Sequence, residues 1–314
     1  MENSFQPIVS PSTRTLILGS APSTTSLKKR EYYGHTGNRF WPLFSAFYQV
    51  PFPMPYADRC QQLLAKKLGL WDVYRSFNRI GSSDNAFTKT EYNDLKQFTI
   101  NKHLSLFIIN GKKAASEISK QLILQDKLLL VCPSTSGANN AQTIFRQKQW
   151  FLAYKIHEQI NHGPLDNYLV YFGHSSDLKR KVYQLRKEVF VEEQQVNEAD
   201  EFDLRDQQPD TDYFLVCTLE NEPVATIRYQ MLSNQIIQPD RFCVKKAYRM
   251  KKIGTDLLKI YELYAQFQGF SKSVLSAETT ALPFYQKMGY STNGLPYIED
   301  GILCQQVTKS LHLL

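Results

Sequence analysis

In the first half of the chain, apolar residues come in short unbroken runs instead of alternating with polar ones. TLILG (Thr15–Gly19), LFIING (106–111) and KLLLVCPS (127–134) each end on small or turn-forming residues, and the second leads directly into KKAASEISKQL, a helix-forming segment. Such runs predict strands buried on both faces of a parallel sheet, with helices as flanks. Binding sites in sheets of this kind gather at the carboxyl ends of the strands. GSAPSTTS and PSTSGANN follow two of the runs, so both are expected on one functional edge.

The pattern changes after a helix predicted over 149–159. INHGPLDN (160–167) clusters Asn, Gly, Pro and Asp, which predicts a boundary between domains 1–163 and 164–314. Beyond it, 177–194 reads as a helix, 212–232 as two strands around a Glu-Asn-Glu-Pro turn, and RFCVKK (241–246) as a strand. A basic loop, the helix TDLLKIYELYAQFQ, strand KSVLSA and helix ALPFYQKM follow. Antiparallel strands ahead of a strand-loop-helix unit give α+β order.

A length of 314 residues suits two domains, and the composition is that of a globular protein. Five scattered cysteines lack metal-ligand spacing, so no metal is expected. There is neither a signal-peptide pattern nor an apolar run near membrane-spanning length, which predicts a cytoplasmic protein with no membrane partner. Charge divides unevenly. Residues 1–163 hold 20 Lys+Arg against 10 Asp+Glu, a net +10, whereas 164–314 hold 17 against 20, a net −3. A polyanion is therefore the expected partner of the first half alone.

LILGSAPSTTSLKKREYYGHTGNRFWPLF resembles the first motif of the hypoxanthine-DNA glycosylase branch of the uracil-DNA glycosylase superfamily. GLWDVYRSFNRIGSSDNAF, LFIINGKKAA and PSTSGANN resemble its later blocks, in order, over roughly 12–155. The resemblance implies a three-layer α/β fold around a parallel sheet, and excision of hypoxanthine or uracil from double-stranded DNA carrying the damaged base. Such an enzyme flips the nucleotide out and stabilises the sugar while the base leaves. By the resemblance Asn38 is the main catalytic residue. Gly19 admits close approach, Ser20 is implied beside it in the base pocket, Tyr32, Tyr33, Phe40 and Trp41 offer stacking walls, and His35 assists or makes a structural hydrogen bond. Ser134, Thr135, Ser136 and Asn139 are implied DNA contacts. Asp72 reads as a helix cap or a ligand of local backbone, and Lys28, Lys29 and Arg30 as phosphate-tracking or solvated side chains. The chain departs from the branch at Ala21, Ser23 and Gly137, where Phe, Gly and Pro are usual, and it has no Asp at the start of the first motif. The alternative reading is a nucleic-acid-binding module without catalysis.

VYQLRKEVFVEEQ, FCVKKAYRMKKIGTDLL and AETTALPFYQKMGY resemble the GNAT acyl-CoA N-acyltransferase superfamily over about 170–311. The resemblance implies an α+β fold that takes acetyl-CoA as co-substrate and a small amine or protein amine as acceptor. Phe242, Cys243, Val244, Arg249, Lys251, Lys252, Ile253, Gly254 and Thr255 form the implied acetyl-CoA site, where backbone N–H groups and a helix N-terminus meet the pyrophosphate. Lys252 stands where Gly is usual. Tyr285 is the implied acid for the departing thiolate and Glu278 the base for the amine. The acidic stretch 198–212 is expected near the acceptor, favouring a cationic amine.

Overall fold

A computed structural model describes residues 1–79, 87–100, 104–120, 124–138, 143–299 and 301–311. The chain divides into two compact units, 1–157 and 158–314.

The first unit runs β1 (Glu2–Asn3), β2 (Thr15–Gly19), α1 (Thr24–Lys29), α2 (Phe40–Tyr48), α3 (Tyr56–Ala65), β3 (Leu68–Asp72), β4 (Tyr74–Arg79), β5 (Phe87–Tyr92), α4 (Leu95–Ile100), β6 (Leu106–Asn110), α5 (Lys112–Ser119) and β7 (Leu128–Cys132). Helix α6 (Thr143–Asn161) follows. Strands β3-β2-β6-β7 form a parallel sheet in that order. Strand β2 is buried at all five positions, as its unbroken apolar run predicts. Successive side chains point to opposite faces. Leu16 and Leu18 pack with Phe107, Ile109 and the α5 residues Ala114 and Ile118. On the other face Thr15 meets buried His157 of α6, Oγ1 to Nδ1 at 2.7 Å. Aromatic pairs join α2 to α6, with Phe40 and Trp150 centroids 5.7 Å apart and Phe44 and Tyr154 6.4 Å apart. Helices therefore cover both faces of the sheet, the three-layer arrangement expected from the sequence. A second, antiparallel sheet, β1-β4-β5, stands beside it.

The second unit contains β8 (Tyr168–Gly173), α7 (Ser176–Arg186), a π-helical turn at Lys187–Glu193, α8 (Glu198–Glu201), β9 (Tyr213–Thr218), β10 (Pro223–Met231), β11 (Ile236–Val244), α9 (Ile253–Gln268), β12 (Lys272–Glu278), α10 (Leu282–Lys287), β13 (Ser291–Glu299) and β14 (Ile302–Ser310). Its sheet has the order β13-β14-β12-β11-β10-β9-β8. All pairs are antiparallel except β11 with β12, which pair only at Ile236 and Ile237 with Lys272 and Ser273. Beyond those residues β11 stays with β10 as far as Val244, and β12 with β14 as far as Glu278. The two central strands thus splay, and a gap opens between them. Among the described residues no helix is long and apolar enough to cross a membrane.

Candidate active sites

In the first unit Gly19 and Asp72 face each other across β2 and β3, at the carboxyl ends of both strands. A Cβ on Gly19 would lie 2.7 Å from Asp72 Oδ1 and 3.4 Å from Tyr33 Oη. Only glycine leaves room for both groups there. Asp72 is 2% exposed, and its Oδ2 accepts from Ser4 Oγ at 2.6 Å. It ends strand β3, and of the two readings from sequence, helix cap or ligand of local backbone, the described helices do not use it as a cap. Tyr33 is held at φ 56°, a left-handed conformation that a bulky residue adopts only when its surroundings enforce it. Its hydroxyl is buried without a hydrogen bond of normal geometry. Burial, reinforced by the Asp72 carboxylate and only partly offset by the Asn110 carboxamide, keeps that phenol protonated far above its usual range.

Asn38 closes the loop leading into α2. Its Oδ1 accepts from Phe40 N at 2.9 Å, while its own N–H donates to His35 O. Exposed His35 accepts from Gly37 N through Nδ1, a local loop bond. The neighbouring loop is fastened to this one. Arg39 N donates to Thr135 O at 2.8 Å, and a Cβ on Gly137 would lie 2.9 Å from Gly37 O. That close approach accounts for glycine where proline is usual.

The expected DNA contacts separate on exposure. Thr135 is fully buried and exchanges two hydrogen bonds with Asn110, Thr135 N to Oδ1 at 2.9 Å and Nδ2 to Oγ1 at 2.8 Å. Its side chain braces the loop from beneath. Ser134 Oγ accepts from Ser136 N, and Ser136 Oγ from Ala138 N. Both serines are partly exposed at the loop surface; Asn139 lies outside the described residues. Phe40, Trp41 and Tyr32 are 0%, 2% and 3% exposed. Phe40 packs between Tyr33 and Trp150, while Trp41 donates to Tyr32 O and carries Arg59 over its ring. These three rings are core supports, and Tyr33 stands nearest the sheet edge. Ser20 is 7% exposed. Lys29 Nζ donates to Gly34 O, so this cation ties the first motif's own loop.

In the second unit a cleft of about 460 Å³ opens between the splayed strands. Phe242, Cys243, Val244, Arg249, Gly254, Glu278 and Tyr285 all line it. Lys252 caps α9 at φ 63°, the left-handed conformation that glycine meets without strain, so here lysine carries that turn. Ile253, Gly254 and Thr255 form the first turn of α9, whose N–H groups have no partner within the helix. A Cβ on Gly254 would lie 3.1 Å from Val244 Cγ2. Lys251 Nζ stands over the Tyr248 ring. Arg249 donates to Val244 O through Nε and makes a bidentate pair with Glu193, at 2.6 and 2.8 Å. Tyr285 is 9% exposed; burial first, then the Glu278 and Asp240 carboxylates, raise its phenol well above the ordinary value.

The acidic stretch reaches the cleft through Asp200 and Glu201, while most of its carboxylates are paired. Arg186, fully buried, binds Glu201 and Asp206, while Arg228 binds Asp203, Asp206 and Asp240. Arg241 adds Glu201 at 3.3 Å. These carboxylates are neutralised within the unit and form a structural network, because a buried acid is stable only when paired. Asp200, Glu278 and Glu299 remain as acids at the cleft.

A family model described as the Uracil DNA glycosylase superfamily matches residues 6–155, and one described as an Acetyltransferase (GNAT) domain matches 179–311. A hypoxanthine DNA glycosylase of Methanosarcina barkeri (strain Fusaro / DSM 804) is 36% identical over 158 residues, which are 48% of this chain and 96% of the relative. The uncharacterized N-acetyltransferase YjcF of Bacillus subtilis (strain 168) is 33% identical over 131 residues, 41% of this chain and 91% of the relative. The crystal structure of an acyl-CoA N-acyltransferase from Pseudomonas aeruginosa, 24% identical, covers 45% of this chain and 99% of its own, with a TM-score of 0.41.

Proposed function

The first half of the chain belongs to the uracil DNA glycosylase superfamily and the second to the GNAT acetyltransferases, and from that premise we propose that one polypeptide carries two catalytic activities. Residues 1–163 hydrolyse the N-glycosidic bond of a deaminated base, hypoxanthine or uracil, in duplex DNA. Residues 164–314 transfer an acetyl group from acetyl-CoA to an amine. The observation that carries the reading is convergence: Gly19, Tyr33 and the Asn38 loop meet at the carboxyl edge of one parallel sheet, and Glu278 and Tyr285 line one cleft.

In base release the C1′–N bond breaks with its electron pair leaving on the base, water oxygen bonds to C1′, and the water proton neutralises the base. Since Phe40 N–H occupies Asn38 Oδ1, the amide Nδ2 is the group that donates to the base carbonyl as charge gathers there. Without an acid at the start of the first motif, water is held by position more than by a base.

The second site suits an acyl-CoA, with its glycine-tight strand-to-helix turn and a helix N-terminus beside the splay. Acetyl-CoA supplies the thioester. Backbone N–H groups at 249–255 hold its pyrophosphate. The amine attacks the acetyl carbonyl and the C–S bond breaks. Glu278 takes the amine proton, and Tyr285, kept protonated by burial and its anionic neighbours, gives its own to the thiolate.

The test is base release from duplexes carrying one deoxyinosine or deoxyuridine, by wild type and Asn38→Ala, alongside thiol release from acetyl-CoA over a panel of amines. Release that disappears with Asn38→Ala supports the glycosylase. Duplex binding with no release from either substrate would reduce the first half to a binding module.

A further inference from the structure

The cations that line the cleft of the second unit are already paired. Arg249 is held by Glu193, and Arg241 by Glu201 and Asp203, while Asp240 at the cleft is bound by Arg228. Asp200, Glu278 and Glu299 line the same cleft, and none of the three makes an ion pair among the described residues. Tyr285, 9% exposed, lines it with them, and its hydroxyl has no hydrogen bond among the described residues. An unmatched buried hydroxyl and unneutralised carboxylates in one cavity are together the complement of a cationic ligand.

Two of the acids stand in a fixed relation. Ser276 and Glu278 are two residues apart on β12, which puts them on one face of the sheet and roughly 6–7 Å apart along the strand. Tyr297 Oη donates to Ser276 Oγ at 2.7 Å, and Ser276 Oγ donates to Glu299 Oε2. This relay holds the Glu299 carboxylate beside Ser276 and leaves Oε1 as an acceptor. The Glu278 carboxylate receives one hydrogen bond among the described residues, from Thr280 Oγ1 at 3.4 Å. One carboxylate for a reacting amine, and a second a short chain away, suit a molecule with a nitrogen at each end.

Resting on the acetyltransferase reading, we infer that the acceptor is a short aliphatic diamine, one nitrogen of which is acetylated beside Glu278 and Tyr285 while the other, as ammonium, is held by Glu299. The uncharged nitrogen attacks the acetyl carbonyl and forms the C–N bond, and the C–S bond breaks with its electron pair on sulfur. The amine proton passes to Glu278 and the Tyr285 proton to the thiolate, which leaves as the CoA thiol. The distal ammonium keeps its charge throughout. Asp200, on α8, adds a third carboxylate to the cleft and favours a dication over a monocation.

The test uses the full chain and thiol release from acetyl-CoA with three amines: 1,4-diaminobutane, pentylamine, which has a methyl in place of the second ammonium, and 4-amino-1-butanol, which has a hydroxyl there. For wild type, kcat/KM for the diamine is expected to exceed that for either monoamine by at least about tenfold, the size of one charge-assisted hydrogen bond. In Glu299→Gln that ratio falls to within about twofold. A Glu299 that only supports β13 would lower all three rates together and keep the ratio, which overturns the inference. Equal use of the diamine and pentylamine by wild type overturns it too, whether or not the variant folds. If no thiol is released with any of these amines or with a lysine-rich peptide, the acetyltransferase reading fails and this inference falls with it; turnover of a monoamine or of the peptide without preference for the diamine removes this inference alone.

Discussion

Thr135 and Asn110 exchange two hydrogen bonds at a fully buried position, so the loop's placement rests on polar atoms that have no second choice. Thr135→Val keeps the shape and deletes one partner, leaving an Asn110 donor unsatisfied; the expected cost is about 1–3 kcal/mol. All three tryptophans, Trp41, Trp71 and Trp150, lie in the first unit, so urea unfolding followed by tryptophan fluorescence measures this change without interference from the second. Tyr285→Phe acts differently: it retains the ring contacts to Phe284 and Tyr290 and removes only the transferable proton. Acetyl transfer is expected to fall about 10²- to 10⁴-fold in kcat with KM for acetyl-CoA little changed, read by thiol release. An unchanged kcat would assign the thiolate's proton to another donor.

At the scale of elements, α5 carries a pH-dependent anchor. Glu117 is buried, which by itself would raise its pKa, but hydrogen bonds from Lys120, Tyr92 and Lys113 outweigh burial and set it at about 2. A carboxyl depressed in the folded state stabilises it above the ordinary carboxylate pKa, and that contribution is lost as pH falls toward 2. Glu117→Gln is therefore expected to lower stability by roughly 1–3 kcal/mol at neutral pH and to match wild type near pH 2, in melts recorded across that range. Elements with unbroken apolar runs were the legible ones: β2 starts and ends where its run does, β6 stops one residue short of its own, and β7 lies inside 127–134. The small sheet was not legible. Strand β5, FTKTEY, is almost wholly exposed and polar, so its pairing with β4 leaves no apolar signature. The role of Asp72 stayed open in the sequence because a carboxylate after an apolar run looks the same whether it caps a helix or ends a strand, and here it ends β3. Arg186 was readable in principle. It follows Leu178, Val182 and Leu185 on the buried face of α7, and an arginine in that register announces buried acidic partners.

Across the whole molecule, the candidate groups of each activity come from one unit only, and so does the excess of positive charge. Duplex affinity is expected to fall steeply with salt, since each phosphate neutralised by Lys or Arg releases counterions. Acetyl-CoA, placed among residues 164–314 of net charge −3, is not expected to alter that slope. Covalent fusion supplies proximity, but coupling requires that one ligand bind two states of the other unit unequally. Saturating acetyl-CoA at about a hundred times its Kd should then stabilise the second unit by about 2.7 kcal/mol and leave the tryptophan-reported unfolding of the first where it was. The catalytic variants should follow the same rule: Asn38→Ala abolishes base release with acetyl transfer intact, Tyr285→Phe does the reverse, and the double variant shows the product of the two effects. A shift of the tryptophan transition on adding acetyl-CoA, or a loss of acetyl transfer in Asn38→Ala, would instead require a path between the units, and the two measurements would report the sign of that coupling directly.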